Sequence, residues 1–278
     1  MNSGSSAWVI VFRRWLSGCN TSLLCLEVLL LSAAPFGVAA SLPVNQTLDR
    51  VGKRVEMFWQ QFPQVACTET VTQSKLDARS KILMQDKSVY DYLIVLGNEG
   101  DELTVEEART QKAKADKAPS GPLLVTKGFS TLLLIFHPLF QPSFEFEPMP
   151  DEQVGGKMLY RIGFRHIPGS PTPSVLQVQE MEYPLEWRGV AWIDPDSWAV
   201  VKMQAGLMTS MESVGLKSLD TEVLYRPINY EGASDTFWLP DTATVEARSL
   251  RQHWRNVHRF TAYRKFSVDT KLSVGTPE

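Results

Sequence analysis

The chain has 278 residues, with 28 Lys and Arg against 31 Asp and Glu and a formal net charge of -3. That balance gives no reason to expect nucleic acid or an anionic membrane as a partner, since both select basic surfaces. Of the 3 cysteines, Cys19 and Cys25 fall in an N-terminal leader, so a mature chain keeps Cys67 alone and an internal disulfide is excluded.

Residues 1–40 have the order of a secretory signal: Arg13 and Arg14, an apolar run from Ser22 to Leu31, and the small-residue exit Val38-Ala39-Ala40. Cleavage after Ala40 and a periplasmic destination are expected. The run carries Glu27 and is shorter than the roughly 20 residues of a spanning helix, which argues against a retained anchor. Leu16-Ser17-Gly18-Cys19 spells a lipobox but precedes the apolar run, the wrong side for lipid attachment. The remaining 238 residues (278 minus 40) hold 26 basic and 30 acidic groups and read as a single domain, 41–278.

Leu48, Val51, Val55, Phe58, Trp59 and Phe62 recur at spacings of three and four, predicting an amphipathic helix with Thr47 as N-cap, Asp49 in its first turn and Pro63 as its stop. Threonine- and valine-rich stretches at 65–76 and 82–96 predict strands, the second ending at Gly97-Asn98-Glu99-Gly100-Asp101. Thr104 to Lys117, with Thr104 three residues before Glu107, predicts a solvated helix or mobile excursion. Leu132-Leu133-Leu134-Ile135-Phe136 is apolar all round. A helix there, capped by Ser130 and stopped by Pro138, has to be buried or to cover a cavity. Pro142, Pro148 and Pro150 predict an irregular connection, which makes 104–150 a helical or irregular insertion and a candidate internal boundary.

Beyond Gly155-Gly156 the period becomes two, with Met158, Tyr160, Ile162 and Phe164 alternating against Lys157, Arg161 and Arg165. Val175 to Tyr183 alternates as well. Residues 186–193 and 198–208 predict a hairpin about Asp194-Pro195-Asp196-Ser197. Strands at 219–228 and 242–250 follow. A long last strand, 253–269, puts Trp254, Asn256, His258 and Phe260 on one face and Arg255 and Arg259 on the other. Roughly eight to ten sequential strands with few helices predict a mainly β (α+β) fold. The expected form is a curved antiparallel sheet or half-open β-barrel with an N-terminal helix and one or two covering helices.

Motifs for nucleophile elbows, phosphate loops, dinucleotide binding and zinc helices are absent from the sequence, so no catalytic residue, metal site or cofactor is assigned. His253 and His258 lie five apart on one strand and face opposite ways, unsuited to a shared metal. Glu180 and Glu182 share a strand face near Glu186, where like charges can split their pKa values, but a solvated edge is the plainer reading.

Gly189-Val190-Ala191-Trp192-Ile193-Asp194 followed by Trp198-Ala199-Val200-Val201-Lys202-Met203 resembles a phrase of the periplasmic lipoprotein carriers of the LolA/LolB type. Phe237-Trp238-Leu239-Pro240 and Tyr263-Arg264-Lys265-Phe266-Ser267-Val268 fit the same arrangement. The resemblance spans Glu186 to Val268; as a whole the chain resembles exported bacterial proteins of uncharacterised role. It implies a half-open barrel that holds acyl chains under helices, while the 104–150 insertion departs from the family pattern.

The expected function is therefore a non-catalytic periplasmic binding or carrier protein for a lipid or the acyl chains of a lipoprotein. Trp254, Asn256, His258, Phe260, Leu133 and Phe136 are its candidate ligand-facing residues. The alternatives are an envelope structural or sensory module that binds another protein through tryptophan anchors, and a hydrolase. A monomer is expected.

Overall fold

The computed structural model describes residues 8–11, 43–61, 64–99, 102–113, 128–129, 131–178, 181–230 and 236–265. In chain order the elements are β1 (Trp8–Val11), α1 (Val44–Gln61), β2 (Gln64–Leu76), β3 (Ile82–Glu99), β4 (Glu102–Ala113), β5 (Phe144–Val154), β6 (Lys157–His166), β7 (Val175–Val178), β8 (Met181–Pro184), β9 (Trp187–Ile193), β10 (Val200–Leu207), β11 (Ser218–Asn229), β12 (Thr236–Arg248) and β13 (His253–Lys265). Short 3-10 segments stand at Thr131–Phe136, Gln141–Ser143 and Glu212–Val214. No described helix is long and apolar enough to cross a membrane.

Ten strands form one antiparallel sheet in the order β4-β3-β2-β13-β12-β11-β10-β9-β6-β5, and β4 and β5 do not pair, so the barrel stays open. Its curvature follows from what touches α1. That helix packs on β3 and on β5, which lie eight strand spacings apart, or about 38 Å across a flat sheet. An 18-residue helix is only about 27 Å long. Contact with both ends requires the sheet to wrap around it.

Register makes one face of this sheet a continuous apolar floor. Ile162, Ala191, Met203, Val223, Ala243, His258 and Val71 line up across seven neighbouring strands, and all are buried. On the outer face the parallel row is Arg161, Trp192, Lys202, Leu224, Thr242, Arg259 and Thr70. Trp192 is shielded there by the Arg161 guanidinium at 5.4 Å and the Lys202 ammonium at 4.8 Å from its ring. Alternation at period two thus divides the sheet into an inside and an outside.

The helical stripe is as expected, with Leu48, Val51, Val55, Phe58 and Trp59 buried, but the helix starts earlier. Pro43 O accepts from Gln46 N at 2.9 Å and Thr47 N at 3.2 Å, which makes Val44 the first helical residue. Thr47 is buried inside the helix instead of capping it, and Asp49 bonds Lys53 one turn on at 2.8 Å. Phe62 and Pro63 lie outside the described residues.

Three further expectations change. Glu102–Ala113 is a strand, paired with β3 from Val89↔Ala113 to Glu99↔Glu102, not a solvated helix; cross-strand pairing overrides local helix propensity. The expected irregular connection at Pro148 and Pro150 is the edge strand β5, a place where proline is tolerated because one side of the ladder has no partner. In its described parts the 104–150 segment is thus strand, 3-10 turns and strand. The alternating stretch at 175–183 is two short strands, β7 and β8, in a separate three-stranded sheet completed by β1, which falls within the segment expected to be a leader. In β6, Ile162 and Phe164 are buried as expected, but Met158 is 52% exposed. The hairpin about Asp194 is present, with Trp198 at φ 58 in its turn and Trp198 N donating to Asp194 O at 2.9 Å.

At Gly189 the neighbouring strand leaves no room for a side chain. A Cβ there would stand 2.0 Å from Gln204 O and 2.6 Å from Phe164 Cζ. Because the first neighbour is backbone, Gly189→Ala is expected to lower stability by about 1–3 kcal/mol, read as a shifted midpoint in urea unfolding.

Candidate functional site

The concave face is filled. The 3-10 segment Thr131–Phe136 lies on it with Leu132, Leu133, Leu134, Ile135 and Phe136 all buried. The expectation that this segment has to be buried is met, although it winds as a tight 3-10 plug and not as an α-helix. Phe136 packs on Phe146 and Phe164 with ring centroids 5.4 and 6.1 Å away. The crevice between α1 and strands β10 and β12, lined by Phe58, Leu133, Trp198, Val200 and Phe237 among others, has a volume of about 30 Å³, enough for about one water.

A small set of polar contacts holds the plug. Gly128 N donates to both carboxylate oxygens of Glu107, at 2.9 and 3.0 Å. Tyr225 OH donates to Phe129 O at 3.1 Å. Behind the plug, Gln141 Nε2 donates to Phe136 O at 2.8 Å and to Leu48 O at 3.0 Å, tying it to α1. Gly52 permits this approach, since a Cβ there would stand 2.6 Å from Gln141 Nε2.

Next to Phe129 the apolar floor is interrupted by charge. Glu69 on β2 has a side chain 0% exposed, and Arg109 on β4 is 12% exposed. Arg109 grips the Glu69 carboxylate with Nε on Oε2 and Nη2 on Oε1, the latter at 2.8 Å. His258 on β13 places Nδ1 2.8 Å from Glu69 Oε1, so a neutral imidazole donates from Nδ1. Phe129 covers the His258 ring at 4.6 Å, Phe260 stacks parallel to it at 6.3 Å, and Tyr92 lies 4.8 Å from the Arg109 guanidinium. Burial alone would raise the Glu69 pKa, but the hydrogen bonds from His258 and Arg109 outweigh it and hold the carboxyl below its ordinary value. For His258 burial dominates, and its pKa is lowered despite Glu69. Nearby Cys67 is pushed up to about 12, chiefly by burial, and is no nucleophile at neutral pH.

The six sequence-derived candidates separate into three places. Trp254, Asn256, His258 and Phe260 are all buried, with His258 and Phe260 under Phe129. Leu133 lines the crevice beneath α1, and Phe136 packs toward β5 and β6. The polar centre, Glu69 with Arg109, was missed, although Glu69 shares the parity of the buried Val65, Cys67 and Val71. His253 faces away from His258 and bonds Glu246 on the outer side. Glu182 stands exposed on β8, opposite Gln177, and Glu180 lies outside the described residues. Among the described residues no three His, Cys, Asp or Glu are grouped to hold a metal.

No family model matches the chain, and no curated protein matches it. Solved structures similar to the chain include these two. One is a DUF1329 family protein from Desulfovibrio piger ATCC 29098, at TM-score 0.43 and 11% identity over 83% of this chain and 95% of that one. The other is a domain from Vibrio parahaemolyticus named for outer membrane lipoprotein sorting, at TM-score 0.40 and 12% identity over the same shares, 83% and 95%.

Replacing one partner of a buried ion pair strands the other. Glu69→Gln, which leaves Arg109 without its bidentate carboxylate, is expected to cost about 3 kcal/mol in chemical unfolding. Both lowered pKa values make acid destabilising. The His258 contribution is complete above its ordinary value near 6.5 and is lost as pH falls through its lower folded value. The Glu69 contribution is complete above about 4.5 and is lost below that in the same way. Unfolding midpoints measured from neutral pH downward should therefore fall continuously, and His258→Gln should flatten the upper part of the decline.

Proposed function

We propose that the chain is a non-catalytic binding or carrier protein whose apolar ligand, a lipid or the acyl chain of a lipoprotein, takes the place of the plug on the concave face. The observation that carries this reading is the plug itself: five consecutive buried apolar residues, Leu132 to Phe136, in a weakly hydrogen-bonded 3-10 form, seated on an apolar floor that no strand closes over. Magnitudes favour exchange. Five buried side chains contribute about 8–15 kcal/mol of apolar burial, and an acyl chain of about sixteen carbons at about 0.8 kcal/mol per CH₂ contributes about 13. An incoming chain thus replaces what the plug gives up, and the polar latches set the threshold. Export with cleavage after Ala40 and a single domain over 41–278 belong to the same proposal. Nothing in it requires catalysis, because His258 is 2% exposed and roofed by Phe129.

Native mass spectrometry of protein purified without detergent is expected to show a lipid-sized adduct. Tyr225→Phe, which removes one latch hydrogen bond, and Glu107→Ala, which removes the acceptor of Gly128 N, should each strengthen uptake of a fluorescent fatty acid by about fivefold. The filled interior favours a second reading, an envelope module that binds another protein. Absence of any adduct, with no fatty-acid uptake by the wild type or either variant, would leave that reading standing, and a pull-down from envelope extract would then identify the partner.

A further inference from the structure

We infer that the end of the sheet where the β2–β3 and β12–β13 turns lie side by side docks on an anionic lipid bilayer. His253 pairs with both Leu76 and Arg248, and Leu76 pairs with Ile82, so both turns leave the sheet from one row. In or beside these turns Leu250 is 76% exposed, Leu83 62% and Ile82 51%. Among the described residues seven large apolar side chains are exposed, and three of them stand here. Ile82 and Leu83 are consecutive in a strand, so they point to opposite sides of the hairpin, and the sheet to which they belong cannot cover both.

The charges of the two turns are predominantly positive. Arg79, Lys81 and Arg251 are exposed. The acid within the two turns, Asp77, turns its Oδ1 inward to accept from Arg79 N and Lys81 N, each at 2.8 Å. A whole-chain charge of -3 conceals this local excess of cations. Apolar side chains that reach the acyl boundary, with cations at the level of the phosphates, are the chemistry of an interfacial anchor. Three protruding side chains fall well short of the roughly 20–30 residues that each side of a protein interface contributes. A bilayer deforms around such tips, whereas a folded partner has to be shaped to them. These observations are independent of the plug, and the two proposals succeed or fail separately.

The test is flotation of the full chain with vesicles of phosphatidylcholine alone and of equal parts phosphatidylcholine and phosphatidylglycerol. Variants are compared in the same full-length background, so that contributions from the rest of the chain cancel. Wild type should partition preferentially to the mixed vesicles, less so at high salt. Ile82→Ser/Leu83→Ser/Leu250→Ser should lose about tenfold in partitioning. Arg79→Gln/Lys81→Gln/Arg251→Gln should lose the preference for the mixed vesicles. All six positions are exposed, and unchanged melting temperatures are expected for both variants. The proposal is overturned if wild type and the apolar variant float equally, if wild type shows no preference for the mixed vesicles, or if neither binds. Lipid-free sedimentation showing dimers that the apolar variant abolishes would assign the tips to a second copy of the chain and likewise overturn it.

Discussion

A sheet of ten strands with one apolar face must hide that face, and in this chain the sheet neither closes into a barrel nor stacks on a second large sheet. The cover comes instead from α1 and from the plug at Thr131–Phe136. Because both cover the same floor, their contacts with each other matter as much as their contacts with the strands. The Gln141 side chain that joins Phe136 to Leu48 and the missing side chain of Gly52 set the spacing between them. Curvature, helix position and plug geometry are thus one packing solution, and a change at any of the three is felt at the other two.

The charged group at Glu69 sits at the worst place for it by burial and the best by geometry. An isolated buried carboxylate costs several kcal/mol. Here the two guanidinium contacts and the imidazole donor come from strands on either side of β2, so the carboxylate is satisfied only when β4 and β13 are both in register. The trio therefore checks strand register more than it adds stability. Phe129 over His258 then couples that register to the seat of the plug.

Much of this architecture is legible in the sequence. The helical stripe, the all-apolar character of residues 132–136 and the alternation of the last strand each name the buried face correctly, because periodicity reports burial directly. β4 is not legible: its Glu, Lys and Ala composition and its capping-box spacing are local signals for a helix, whereas pairing with β3 is a long-range choice. Glu69 shares its parity with Val65, Cys67 and Val71 and could be suspected of burial. Its partners could not be named, since Arg109 is 40 residues away and His258 is 189. Leu133, Phe136 and His258 fall in separate places because the direction in which the plug crosses the floor depends on packing, not on period.

The two edges of the sheet are built differently. On β5, Pro148 and Pro150 remove two amide donors from the outer ladder. On β4, the exposed Glu106, Ala108, Thr110 and Lys112 present a charged but proline-free rim. Two edges that differ in this way are poorly matched for pairing with each other, because the prolines of one leave acceptors of the other without a donor. The sheet is therefore open-sided with mismatched edges, and the charges along β4 disfavour edge-to-edge association.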